Sequence, residues 1–384
     1  MTDGRHASRV RVTVQEIAAE VIRCTSREKP ADAALREVLK RQRDLPPFDA
    51  AEVSRIVFRH YRWLGWLRDE RNLENKLRLA RRLEERFQAN PNSILLTDLR
   101  ARAVPAWLLG EMEIGEAWLQ SLQREPKLWL RVKQGQGKAL TRKLGLIETP
   151  NLPETFVYEG ETDLFKTPEF HAGEFEIQDI ASQAVGLLCD PKPGETWWDA
   201  CAGEGGKLLH LSDLMQNKGL IWASDRAVWR LQKLKRRTAR AQVFNYRAEL
   251  WDGGTKLPTK TKFDGVLVDA PCSGVGTWQR NPHARWTTDA QDVWELAEVQ
   301  KRLLANVVGS VKPGGQLVYS VCTLTRKETA EVVEDFSRKH PEFEPMVLPV
   351  ERVSRTLTSA AAVTIWPQDL GGNGMFIAAW RRKK

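Results

Sequence analysis

Through the first third of the chain, apolar residues recur every three to four positions. Val14, Ile17, Ala18, Val21 and Ile22 fall on one face, and Val53, Ile56, Val57, Tyr61 and Leu64 repeat the spacing. That period is the mark of amphipathic helices packed on one another. Between them, Asp32 reads as the N-cap of a helix carrying Leu35, Val38 and Leu39. A basic helix over 71–86 comes next, with Leu73, Leu77, Leu83 and Phe87, and Asn90-Pro91-Asn92 ends it. Arg55, Arg59 and Arg62 lie outside the apolar stripe. They could grip phosphates, although a charged helix face is more often simply solvated. An all-α region over residues 1–124 is predicted.

Near residue 125 the period changes. Leu128-Trp129-Leu130-Arg131-Val132 is strand-like, and Gly135, Gly137, Pro150 and Pro153 punctuate the segment after it. This pattern predicts a small α+β module over 125–172. From 173 to 384 helices alternate with short apolar strands. Helices are predicted at 180–188, 208–215, 227–237, 293–308 and 327–336. Strands are predicted from Thr196-Trp197-Trp198, at 220–224, at Val243-Phe244, and at 266–268, 317–320 and 375–380. Repeated β-α units of this kind predict an α/β fold with a mostly parallel, doubly wound sheet.

Composition narrows the class. The 384 residues are 42% hydrophobic and 28% charged, which describes a globular chain of two or three units. A net charge of +9 suits a polyanionic partner, nucleic acid first, and about equally a surface kept basic for solubility. The five cysteines (Cys24, Cys189, Cys201, Cys272 and Cys322) are sparse, odd in number and without zinc-ligand spacing, so no metal site is expected. A disulfide framework is disfavoured and a reducing compartment favoured. Residues 1–5 carry no apolar signal core and no run is long enough to span a membrane. A cytoplasmic protein is expected. Of the fifteen tryptophans, Trp197 and Trp198 read as core, and others could stack on bases.

Two segments carry the candidate chemistry. Cys272 lies in Asp269-Ala270-Pro271-Cys272-Ser273-Gly274 and Cys322 in Tyr319-Ser320-Val321-Cys322-Thr323-Leu324, each just after an apolar run introduced by a turn. Both therefore read as residues at the C-terminal edge of a sheet, where ligands bind in open α/β folds. As isolated cysteines they would be read as buried fillers; the pairing with Asp269 argues otherwise. A third segment, Asp199-Ala200-Cys201-Ala202-Gly203-Glu204-Gly205-Gly206-Lys207, lies between the first strand and a helix, and Asp225 comes just after the next strand. Small residues let a ligand approach the backbone, and a carboxylate at that spacing can hold ribose hydroxyls. The dinucleotide pattern G-x-G-x-x-G is absent, and Gly203 to Lys207 is too short for a phosphate-cradling loop. S-adenosylmethionine fits better. If a methyl group goes to C5 of cytosine, a thiolate must first add to C6, because C5 is not nucleophilic by itself. The chemistry then asks for a thiolate, an acid near N3, and an assisting group.

These segments closely resemble the Sun family of RNA 5-methylcytosine methyltransferases, the RsmB-type enzymes, over roughly residues 125–384. The two cysteine motifs look like that family's fourth and sixth motifs. Gly173-Glu174-Phe175-Glu176-Ile177-Gln178-Asp179 with Ser182, Asn281-Pro282-His283-Ala284-Arg285-Trp286, Gln300 and Gly374-Met375-Phe376-Ile377-Ala378 also match. The resemblance implies a Rossmann-like class I methyltransferase domain at 173–384. It implies Cys322 as nucleophile, Cys272 as the group that assists product release and Asp269 as the contact to the base. Cys201, Ala202, Gly203, Glu204, Gly205, Gly206, Lys207, Asp225 and Asp269 would hold S-adenosylmethionine, with Asn245 as the polar residue near the third strand. DNA cytosine methyltransferases attack with the cysteine of a Pro-Cys motif, which would select Cys272; Cys322 in its own motif decides against this. The family turn is commonly Cys-Ala-Ala-Pro-Gly-Gly-Lys, and here Gly203-Glu204 replaces Ala-Pro, loosening the loop and adding a charge near a cationic cofactor. The helical N-terminus resembles a NusB-like RNA-binding domain, and 125–172 an RRM-like insertion. A monomer acting on RNA is expected, on an unpaired or flipped cytidine. Ribosomal RNA comes first and transfer RNA second. A ribosome-assembly factor with a degenerate methyltransferase fold is the reading from another class.

Overall fold

The computed structural model describes residues 13–42, 44–149, 152–354 and 356–384; residues 1–5 and Pro150 lie outside the described residues. The chain divides into two compact units. One holds the chain up to Ala106 together with Leu122–Arg124 and Asn281–Thr288; the other holds Trp107–Ser121, Glu125–Arg280 and Asp289–Lys384.

The first unit is helical, with helices at Val14–Arg23, Ala31–Arg41, Pro47–Arg62, Leu73–Ala89 and Leu96–Arg102. Ile17, Val21, Leu35, Val38, Val53 and Val57 form its core, as their periodicity predicts. Thr13 and Glu16 close a capping box on the first helix. Asp32 is not a cap: the helix begins one residue earlier, behind Pro30. Its carboxylate instead bridges to Arg36 at 3.0 Å, in the first turn where the helix dipole favours negative charge.

Arg59 and Arg62 are not a solvated phosphate grip either. Both pair with Glu84 of the Leu73–Ala89 helix, Arg62 at 2.7 Å, and Arg62 and Glu84 are buried. Arg285, fully buried, donates to the carbonyls of Ala103 and Leu122 at 2.9 Å each. Cutting such a network leaves an uncompensated charge in the interior. Glu84→Ala is expected to destabilise this unit by about 3–5 kcal/mol, measured by chemical denaturation of the full chain.

The second unit contains two sheets. In the smaller, β1 (Leu128–Val132), β2 (Ile147–Glu148), β3 (Thr155–Tyr158) and β4 (Phe175–Ile177) run in the order β2-β3-β1-β4. Its last strand thus lies beyond residue 172, within the 173–179 segment.

The larger sheet comprises β5 (Thr196–Asp199), β6 (Leu220–Asp225), β7 (Tyr246–Leu250), β8 (Phe263–Asp269), β9 (Val311–Val321), β10 (Phe343–Pro345), β11 (Ala362–Ile365) and β12 (Met375–Arg382). The order is β10-β12-β9-β8-β5-β6-β7, with β11 against β12. The strands from β5 to β9 pair in parallel, and β12 is antiparallel to β9. Both faces are covered. Trp197 points into one apolar cluster and its neighbour Trp198 into the other, as alternation along a strand requires. From β5 the chain moves outward to β6 and β7, then returns to β8 on the other side of β5. This reversal opens a crevice between the C-terminal ends of β5 and β8. The third strand lies three residues later than Val243-Phe244 suggests. Phe244 is 76% exposed, in the turn before the strand. Among the described residues no helix is long and apolar enough to cross a membrane.

Candidate active site

A cavity of about 410 Å³ occupies that crevice. Cys201, Ala202, Gly203, Glu204, Gly206 and Lys207 of the glycine-rich turn line it, as do Asp225, Asp269, Cys272 and Cys322. The sheet explains the convergence. β8 ends at Asp269, which lies opposite Ser320 on the adjacent parallel strand β9. The two cysteine segments therefore leave the same sheet edge side by side. Ala270 N–H donates to Ser320 O, and Gly276 N–H to Cys322 O, both at 3.0 Å. No side chain fits at 276, where a Cβ would stand 2.3 Å from Gly374 O. The outcome is a Cys272 Sγ to Cys322 Sγ distance of 3.2 Å.

Electrostatics separates the two sulfurs. The hydrogen bond to Cys322 holds the Cys272 thiol well above the ordinary range. Burial and the neighbouring Cys322 and Glu328 add to this. Cys272 thus keeps its proton. The third thiol of the cavity, Cys201, is pushed up by burial and by the neighbouring carboxylates. Asp269 is held at both oxygens, by Lys207 Nζ at 2.6 Å and Ser320 Oγ at 2.8 Å. Burial works against the Lys207 charge, yet Asp269, Cys322 and Asp199 together raise it above its usual range.

Two residues of the expected set lie elsewhere. Gly205 caps the helix Gly206–Leu214 in a left-handed conformation, φ +87°, behind the cavity lining. Asn245 precedes β7 and so sits at the N-terminal edge of the sheet, opposite the cavity. Its side chain accepts from Ser212 Oγ at 2.7 Å and donates to Lys218 O. The residue that lines the cavity beyond the third strand is Asp252, next to Trp251. The motif at 281–286 belongs to the helical unit. Ser182 does line the cavity.

The substituted turn is accommodated. Gly203 takes φ +53°, open to glycine without strain, and its N–H donates to Asp225 Oδ2 at 3.1 Å. The Glu204 carboxylate is paired with Lys233 at 2.8 Å, so its charge is balanced.

The lining suits a nucleoside with a cationic tail. Asp225 ends β6 at the ribose-binding position. Trp251, Val299 and Leu303 give an apolar wall. Asp199 is 1% exposed and meets no side-chain hydrogen-bond partner among the described residues; the Leu208 backbone N–H only slightly offsets its burial. Burial, then the Asp269 charge, push it up to about 7. A buried carboxylate without a side-chain partner calls for a donor or a cation from a ligand. Among the described residues no cluster of His, Cys, Asp and Glu is arranged to hold a metal ion.

Comparison with known proteins gives a consistent picture. The family model described as 16S rRNA methyltransferase RsmB/F matches residues 186–381. A probable ribosomal RNA small subunit methyltransferase B of Bacillus subtilis is 36% identical over 242 residues, 62% of this chain and 54% of that protein. Its Synechocystis counterpart is 33% identical over 293 residues, 71% of this chain and 66% of that one. The chain therefore spans about half to two thirds of the length of these relatives. The crystal structure of PH0851 superposes with a TM-score of 0.78 at 23% identity, covering 98% of this chain and 100% of that one, a likeness of fold.

Proposed function

Because the chain belongs to the RsmB/F family of 16S rRNA methyltransferases, we propose that it is an RNA cytosine-C5 methyltransferase. It takes its methyl group from S-adenosylmethionine and acts on a cytidine of ribosomal RNA. The observation that carries the reading is the sulfur pair, 3.2 Å apart, opening on the same cavity as the glycine-rich turn.

Asp225 would hold the ribose hydroxyls, Asp252 and Trp251 the adenine side, the turn at 201–207 the backbone-facing polar groups, and Asp199 the cationic amino end. S-adenosylmethionine, when bound, supplies an electrophilic methyl group. Cys322 adds to C6 of the cytosine while Asp269, steadied by Lys207 and Ser320, holds a proton at N3. That proton, drawn from solvent as the base enters, neutralises the charge that addition would otherwise build on the ring. C5 becomes nucleophilic and takes the methyl group. Loss of the C5 proton then restores the double bond and expels Cys322, and the N3 proton returns to solvent.

The test is methylation of ribosomal RNA lacking the modification, with isotopically labelled methyl donor, followed by nucleoside analysis and bisulfite mapping. Label in 5-methylcytidine at a discrete position is expected. Label in any other nucleoside, or none, overturns the reading. Asp225→Ala is expected to weaken binding of S-adenosylhomocysteine by roughly 10–100-fold, the loss of hydrogen bonds to a charged acceptor; calorimetric titration measures it.

A further inference from the structure

Glu328 is a carboxylate that the reaction outlined above does not use, and it is completely buried. It sits in a short 3₁₀ turn, Arg326–Glu328, beyond the Cys322 segment. A buried charge with no counter-ion is costly unless hydrogen bonds fill its lone pairs. Here they do, and they come from both cysteine segments. Oε1 accepts from Ser273 N–H and from Gln300 Nε2, each at 2.9 Å. Oε2 accepts from Ser273 Oγ at 2.5 Å, Thr323 Oγ1 at 3.0 Å and Thr325 Oγ1 at 2.9 Å. Gln300 Nε2 also reaches Pro271 O at 2.9 Å. The neighbour of Cys272 on one loop and the neighbour of Cys322 on the other thus end on one carboxylate.

We propose that Glu328 is a positioning residue that sets the separation of the two active-site sulfurs by clamping the Cys272 and Cys322 loops together. The inference rests on the reading that both sulfurs serve one reaction. Its physical basis is the difference between sheet and loop. β8 and β9 fix where each segment starts, but Cys272 lies three residues past Asp269 and Cys322 one past Val321. Backbone pairing ties Ala270 to Ser320 and Gly276 to Cys322, and among the described residues Pro271–Ser273 between them have no backbone–backbone hydrogen bond to limit their freedom. Ser273, hydrogen-bonded to Glu328 through both its N–H and its hydroxyl, removes that freedom. The network meets the cavity lining at Pro271 and does not touch Asp225, Asp252 or the glycine-rich turn, so cofactor affinity is expected to depend little on it.

The experiment measures sulfur proximity directly, without RNA or methyl donor. Full-length protein is treated with diamide, an azo oxidant that accepts two electrons and two protons from a pair of thiols, and the Cys272–Cys322 cross-link is timed by peptide mass spectrometry. Three variants are compared with the parent, namely Glu328→Ala, Glu328→Gln, and the double variant Thr323→Val with Thr325→Val. Glutamine can keep Oε1 as acceptor for the two N–H donors, and its amide can donate to the hydroxyls, which rotate to accept. Glu328→Ala and the double variant are each expected to slow cross-linking at least tenfold, and Glu328→Gln to stay within threefold of the parent. In methyl transfer, kcat falls about 100-fold in Glu328→Ala with KM for the methyl donor unchanged, and Glu328→Gln rescues most of it.

A folded Glu328→Ala or double variant that cross-links at the parent rate overturns the proposal. So does a Glu328→Gln protein of parental melting temperature that fails to rescue. If neither disrupted variant folds, the network serves general stability and the proposal falls as well. Should the protein prove to methylate another position, cross-linking still reports on the clamp, so the two failures can be told apart.

Discussion

Replacing Cys322 with alanine is expected to reduce methyl transfer to RNA by more than about 10⁴-fold. Binding of S-adenosylhomocysteine should stay within about threefold of the parent, a difference under 1 kcal/mol. The magnitude comes from the acceptor. C5 of cytosine is reactive only after a nucleophile has added at C6, so without that sulfur the barrier is that of the unactivated ring. The cavity holds two other thiols. Cys201 is pushed up by burial and nearby carboxylates and stays protonated. Cys272 keeps its proton first because of Cys322 and then because of burial, and the variant removes only the first restraint. Comparing Cys322→Ala with the Cys272→Ala, Cys322→Ala double variant therefore shows whether any residual turnover passes through Cys272. The measurement is single-turnover transfer of labelled methyl at saturating donor. Turnover within tenfold of the parent in Cys322→Ala would remove it as nucleophile.

What the sequence made legible was local. Each cysteine motif is a contiguous run just after an apolar strand, and a strand ending in a turn puts its next residues at the C-terminal edge. The approach of Cys272 to Cys322 is then a consequence of β8 and β9 being neighbours. The same logic places Asp199, Asp225 and Asp269 at strand ends. The third strand defeats it. β7 is the last strand on its side of the sheet, and its residues are half-buried or exposed, so it lacks the apolar run that marks a strand. The apolar pair Val243-Phe244 mimics that run, so the sequence points to Asn245, whereas Asp252 is the residue that lines the cavity. Long-range polar partners were equally hidden. Arg62 finds Glu84 22 residues away on the next helix. Glu328 finds Ser273 across 55 residues. Neither pairing leaves a periodic trace, because each depends on how finished elements pack.

Changing Cys272 to alanine should have the opposite signature to loss of the nucleophile, with attack intact and release blocked. In the parent, the hydrogen bond to Cys322 is the first reason Cys272 holds its proton, and burial is the second. Once Cys322 is bonded to C6 its sulfur is a thioether, and that first restraint is relieved while burial and Glu328 remain. On the proposed reading, Cys272 gives up its proton to solvent at this stage and accepts the one on C5. The C5–H electrons form the C5–C6 double bond, the C6–S bond breaks, and Cys322 leaves as thiolate. Alanine at 272 removes the acceptor but leaves every group needed for addition and methyl transfer. Turnover is expected to fall roughly 10²–10⁴-fold, the usual contribution of a positioned acid–base group. A protein–RNA species that survives denaturing electrophoresis should accumulate when methyl donor is present. The double variant without Cys322 should show none. If Cys272→Ala turns over slowly yet no covalent species builds up with Cys322 intact, release is not the step that Cys272 serves.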